Sequence, residues 1–184
     1  MATAAAPPVT AEEYLLTPDN GRPTELVRGE IVPMNLPPPR HGEICSQVSF
    51  YLRLYLRQHP VGRVVSNDAG VITSRDPDTV RGPDVAYYSH RRVPPGPLPP
   101  GYLRVAPEIV FEVRSTTDRW ADVLSKVGEY LRAGVLVVGV LDEQTHTLQV
   151  SSPDELPRTL SEDEDLTLPG VLEDFRVGVR QFFE

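Results

Sequence analysis

Apolar residues recur at Ile44, Val48, Tyr51, Leu52 and Tyr55, the three- and four-residue steps of a single helix face, so the pattern predicts an amphipathic helix over residues 41–58. Pro37, Pro38 and Pro39 launch it, and Pro60 and Gly62 end it. A second helical pattern, Trp120, Val123, Leu124, Val127, Tyr130 and Leu131, predicts a helix over residues 118–133 that stops at Gly134. Apolar runs bounded by turn residues predict strands at 63–66, 70–74, 83–88, 108–114, 135–141 and 147–151. Residues 25–34 read as two short strands around Arg28-Gly29, a hairpin signal. Thr10 suits the N-cap of a short helix reaching Leu16. A short final helix is expected over residues 177–183, whereas residues 156–168 carry no decisive period. Asp76-Pro77-Asp78 reads as a turn, and residues 91–101, with five prolines and two glycines, read as an extended surface loop.

Strand, helix and strand between residues 108 and 141 predict a βαβ crossover, and the flanking hairpins make the sheet mixed. The fold class is therefore α/β, at the border with α+β. The length of 184 residues suits one domain, expected over residues 10–184. Residues 1–9 have neither a basic region nor a long apolar one, and are expected to form a short disordered lead, not a signal peptide.

Composition narrows the function classes. The chain has no apolar run long enough to span a membrane. Its single cysteine, Cys45, rules out an internal disulfide and a cysteine-built zinc site, and fits a reducing cytoplasm. A net charge of −8 argues against nonspecific nucleic-acid binding by the whole surface. That charge is uneven, however: residues 151–184 hold nine acids and three arginines, while residues 40–132 hold thirteen basic residues and ten acids. The middle of the chain thus permits a phosphate-bearing partner.

Candidate chemistry lies in that middle segment. Alternation along the strand at 108–114 puts Val110, Glu112 and Arg114 on one face, and Ile109, Phe111 and Val113 on the other. Glu112 between Phe111 and Val113, and Asp84 before Val85-Ala86, are acids in strand contexts, costly to bury unless paired, protonated or bound to a cation. Two such acids on neighbouring strand ends make an oxygen site for magnesium; alternatively, each pairs with one of the seventeen arginines. The only lysine, Lys126, sits at the border of the second helix's apolar face. Its plainer reading is a helix-surface pair with Asp122; the other sends the ammonium toward Glu112. On the residues alone, His41 reads as a capping or packing group at a helix start.

The order and spacing of these segments resemble the Uma family of restriction-endonuclease-like proteins, within the PD-(D/E)XK nuclease superfamily. The fragments that carry the resemblance are residues 25–34, Pro39-Arg40-His41, Pro83-Asp84-Val85, residues 107–115, Asp122, Lys126, Tyr130, Ala133-Gly134-Val135 and Asp142. The resemblance implies a restriction-endonuclease-like central mixed β-sheet flanked by helices. It also implies an endonuclease that hydrolyses phosphodiester bonds with Mg2+, or Mn2+ as a substitute. Asp84 and Glu112 become the metal ligands, with the Val113 carbonyl as a third oxygen. The superfamily's lysine usually stands two residues after the acid, where this chain has Arg114, and Lys126 matches a position relocated to the next helix. Lys126 joins Asp84 and Glu112 as a catalytic residue, and Arg114 and His41 become accessory candidates. The partner implied is nucleic acid, DNA before RNA, and a homodimer would suit cutting two strands. Where the family carries Glu-Tyr-Trp-like residues, this chain has Leu136-Val137-Val138-Gly139. The alternative function is a nuclease fold without catalysis that serves binding or assembly, a reading favoured by the acidic tail and by Arg114 beside Glu112.

Overall fold

The structure is a computed structural model and describes residues 7–18 and 21–184. Residues 1–6 of the expected lead lie outside the described residues. Val9 is held in place: its N–H donates to the Gly29 carbonyl at 2.9 Å, and its side chain packs beside Ala11, Leu26 and Val80. Helix α1 (Ala11–Leu15) starts at a capping box, in which Thr10 Oγ1 accepts the Glu13 N–H and Glu13 Oε2 accepts the Thr10 N–H.

The predicted hairpin is β1 (Thr24–Val27) and β2 (Glu30–Pro33), and the first long helix is α2 (Pro39–Gln58). Then come β3 (Gly62–Ser66), β4 (Val71–Ser74), β5 (Thr79–Arg81), β6 (Val85–Ser89) and β7 (Ile109–Arg114). Helix α3 (Trp120–Arg132) leads to β8 (Val137–Asp142), β9 (Thr147–Ser151), β10 (Arg158–Leu160), β11 (Asp165–Leu168) and β12 (Leu172–Gly178). Among the described residues these strands form a six-stranded sheet ordered β10-β9-β8-β7-β6-β3, a four-stranded sheet ordered β2-β1-β5-β4, and the pair β11-β12. Strands β7 and β8 run parallel across α3, which is the expected βαβ crossover, and the remaining pairs are antiparallel.

The two faces of the large sheet follow from the alternation in β7. Ile109, Phe111 and Val113 meet Ile44, Val48 and Leu52 of α2 in one buried cluster. Val110 meets Val127 and Tyr130 of α3, together with Val138 and Val140, in another. Each fully buried isoleucine, leucine or valine contributes about 1.5–3 kcal/mol, so the two helices are fastened from opposite sides. Gly139 serves this packing, because a Cβ there would stand 2.5 Å from the Phe111 ring.

The structure refines the sequence pattern at four places. The final helix over 177–183 is instead the end of β12 followed by a short 3-10 turn, Val179–Phe182. Phe175, Val177 and Val179 are buried at alternate positions, so a period of two prevails until the chain turns. Residues 156–168 contain β10 and β11, and β5 follows the Asp76-Pro77-Asp78 turn where no strand was expected. On α3 the apolar face is narrower than its sequence suggests: Leu124 and Trp120 are exposed, while Val127 and Tyr130 carry the burial.

Candidate active site

Asp84 and Glu112 meet across two paired strands. Val85 is paired with Phe111 and Ala86 with Val110, so Asp84, the residue just before β6, and Glu112, the residue just after Phe111, lie together at the end of that ladder. Both acids are buried, 9% and 8% exposed. Each carboxylate has one oxygen fixed by a neutral donor: the Val113 N–H donates to Asp84 Oδ2 at 2.6 Å, and the Tyr130 hydroxyl donates to Glu112 Oε1 at 2.6 Å. Burial pushes the Glu112 carboxyl up to about 7; Lys126 and the Tyr130 hydrogen bond oppose the rise, and the charge of Asp84 adds to it.

The helical step from Lys126 to Tyr130 brings both side chains to Glu112. The Lys126 ammonium lies 3.9 Å from Glu112 Oε2, so α3 reaches both oxygens of that carboxylate. Lys126 therefore turns across the helix edge toward the strand and does not form the helix-surface pair with Asp122. Its nearest acid is one that the sequence did not single out: Glu25 of β1, whose Oε1 is 3.0 Å away. Glu25 is 5% exposed. It accepts from Arg81 Nη1 at 2.7 Å and from the Gly82 N–H at 3.1 Å, and Arg81 also makes a two-pronged pair with Glu129 of α3, at 2.6 and 2.9 Å. Burial works against the Lys126 charge, but Glu112 and Glu25 outweigh it and raise the ammonium's pKa above its ordinary value. For Glu25 burial is likewise the largest influence and favours the neutral acid; Lys126 and Arg81 overcome it and hold the carboxylate below its usual range.

His41, in the first turn of α2, also belongs to this place. Its Nε2 is 3.3 Å from Asp84 Oδ1, and its Nδ1 is 3.4 Å from the Cys45 sulfur. His41 thus packs at the helix start, as the residues alone suggest, and also stands beside Asp84, as an accessory group would. Burial disfavours the imidazolium, yet the hydrogen bond and charge of Asp84, with Glu112 and Asp118 behind it, lift the pKa above the ordinary histidine value. Cys45 lines the same spot, but burial and Asp84 push its thiol far up, so it stays protonated and is a poor ligand. Asp68, exposed in the β3–β4 loop, stands at the rim; burial of part of its carboxyl and the charge of Asp84 raise its pKa, against the pull of His41 and Lys126.

Arg114 is not part of the cluster. The β7–β8 register sets it opposite Asp142, and its Nη1 lies 3.0 Å from Asp142 Oδ2. Its guanidinium sits 4.9 Å from the centre of the Trp120 ring. The pairing of Arg114 with Glu112 that the sequence left open is thus replaced by a cross-strand pair with a cation–π cover.

The donors present fit a hard divalent cation. Two neighbouring carboxylates each keep one oxygen clear of the neutral donors, which matches the oxygen chemistry that magnesium and manganese prefer. His41, Cys45 and Asp84 offer ligand atoms within 4.8 Å of one another. Of those, the nitrogen and the carboxylate suit such a cation better than the soft thiol does.

A mixed sheet with helices on both faces and two acids at the end of the β6–β7 ladder defines a nuclease-like fold. The model of the Uma2 family, described as "Putative restriction endonuclease", matches residues 11–180, and the chain belongs to that family. No curated protein matches it in sequence. A crystal structure of "a putative nuclease belonging to DUF820" from Anabaena variabilis ATCC 29413 superimposes with a TM-score of 0.81 at 18% identity, covering 96% of this chain and 98% of that one. At that identity the likeness establishes the fold. Among the described residues, no helix is long and apolar enough to cross a membrane.

Proposed function

We propose that the protein is a divalent-metal-dependent endonuclease that hydrolyses phosphodiester bonds in DNA. The observation that carries this reading is that two buried acids, Asp84 and Glu112, lie at the end of the β6–β7 ladder, with the one lysine of the chain leaning over Glu112 from α3. Asp84 and Glu112 would hold Mg2+, or Mn2+ in its place. The Val113 carbonyl is a fitting third oxygen, since a strand residue's carbonyl points to the same side as its N–H, and this N–H points at Asp84. A bound cation of this kind supplies an acidified water and neutralises charge on the phosphate.

The chain's own residues do the rest. The Val113 N–H and the Tyr130 hydroxyl fix the two carboxylates, so neither has to reorganise as the substrate arrives. His41 orients the outer oxygen of Asp84. Lys126, whose charged form its neighbours favour, serves as a fixed positive donor for the attacking water or the developing phosphorane charge; it is poorly suited to act as a base. The rival reading, a nuclease fold that binds without cutting, drew support from Arg114 beside Glu112. That guanidinium is committed to Asp142. Cys45 is a free thiol, which suits the cytoplasm.

Cleavage of duplex DNA, single-stranded DNA and RNA, each with Mg2+, with Mn2+ and with chelator, tests the reading. Metal-dependent cutting of DNA is expected, falling about a hundredfold or more in Asp84→Asn, Glu112→Gln and Lys126→Ala. Wild-type rates in folded Asp84→Asn would remove the site, and preferential cutting of RNA would replace the substrate.

A further inference from the structure

We infer that Glu25 is a positioning residue for Lys126: β1 of the small sheet holds the ammonium over Glu112, so the site is completed only when the small sheet docks on α3. The inference rests on the assignment of Lys126 to the reacting phosphate.

A lysine side chain carries a compact charge on a flexible stem, and gains precision only from partners that hold its end. Lys126 is 22% exposed and has two carboxylates in reach, the closer of which is Glu25, at 3.0 against 3.9 Å. Glu112 is a poor anchor, because it is the acid assigned to the cation and its outer oxygen must stay available. Glu25 has no such duty. Its carboxylate is tied down by Arg81 and by the Gly82 N–H, and Arg81 is in turn tied by both prongs to Glu129, one helical turn after Lys126 on α3. The chain of contacts runs Lys126, Glu25, Arg81, Glu129 and back to α3, a closed ring of alternating charge joining two sheets through one helix. Gly82 also packs closely on the β3–β4 loop: a Cβ there would come within 2.9 Å of Asp68 Cβ and 3.0 Å of the Asp68 carbonyl. Glu25 touches neither Asp84 nor the reacting atoms, so its effect is exerted through Lys126.

The chain's single lysine makes the test specific. Protein labelled with 13C at the lysine side chain gives one Cε signal set. A fixed ammonium keeps the two Hε protons of Lys126 inequivalent, and a freely rotating one merges them. In metal-free wild type they are expected to be distinct, and in Glu25→Gln to merge. Cleavage should fall about a hundredfold in kcat, the cost of misplacing a catalytic group by about an ångström, with KM and Mn2+ affinity near wild type. In a Lys126→Ala background Glu25→Gln should cost nothing more. Should Glu25→Gln fail to fold, Glu25→Asp keeps the charge but withdraws it by one methylene, and the same merging is expected. Distinct Hε signals in the folded variant, or an equal further loss in the Lys126→Ala background, overturns the inference. If wild type never cuts a phosphodiester yet the lysine signals merge in the variant, the positioning stands and the nuclease reading falls.

Discussion

Glu112 is the residue whose charge most governs this protein. Its carboxyl is raised from 4.5 to about 7. A raised folded pKa means that the acid contributes stability while protonated, below its unfolded pKa, and loses it as pH climbs from about 4.5 through 7. Metal-free wild type should therefore lose about 2 kcal/mol relative to Glu112→Gln between pH 5 and 8, read by urea unfolding of both proteins. Millimolar Mg2+ should restore the difference in wild type alone. Lys126→Ala should destabilise by about 1–3 kcal/mol, because it leaves Glu25 and Glu112 facing one another in a nearly dry pocket. Arg114→Ala should leave metal binding intact and alter the fluorescence of Trp120, the only tryptophan. Asp84 and Glu112 were legible in the sequence because each is an acid set among strand residues with no solvent to turn to. Glu25 has the same signature before Leu26-Val27, but its importance lies in partners distant along the chain, Arg81, Gly82 and Lys126, and no local pattern encodes that. For Arg114, alternation gave the correct face but could not say that Asp142 waits opposite it on β8.

At the scale of elements, α2 and α3 clasp the central sheet from either side, and each delivers one group to the acids: His41 at the start of α2, and Lys126 on α3. Ile44→Ala, in the α2 interface, should cost about 2–5 kcal/mol. Tyr130→Phe removes the hydroxyl that fixes Glu112, and should cost about 1–3 kcal/mol of stability with a measurable loss in metal affinity by calorimetry. Period explains which elements the sequence revealed. The two long helices, the βαβ crossover and the strands around both acids have apolar positions enough to declare a repeat. β5 and β10, at three residues each, are too short to do so. β12 ends where alternate apolar residues run into a turn; Val179, Phe182 and Phe183 fit a helical spacing, and the chain takes a 3-10 turn there while Phe175 and Val177 stay in the strand.

At the scale of the whole molecule, the four-stranded sheet is tied to α3 on the large sheet by ionic contacts. Arg81, 11% exposed at its side chain, links Glu25 of the small sheet to Glu129 of the helix. Arg81→Ala should cost about 3–5 kcal/mol, since it strands the buried Glu25 and the half-buried Glu129, and should speed amide hydrogen exchange in β1 and β5 more than in β7 and β8. The charge is uneven along the fold as well: the mildly basic middle of the chain carries the site, and the acidic tail forms β10, β11 and β12 and ends with Phe182 and Phe183 packed against α2. All of this turns on one cation between two strands. Crystals soaked in Mn2+, with data collected for anomalous scattering, should show a single strong peak between the carboxylates of Asp84 and Glu112, against the Val113 carbonyl and beneath the Lys126 ammonium. No peak there at millimolar Mn2+, or one that persists in Asp84→Asn, would contradict the account.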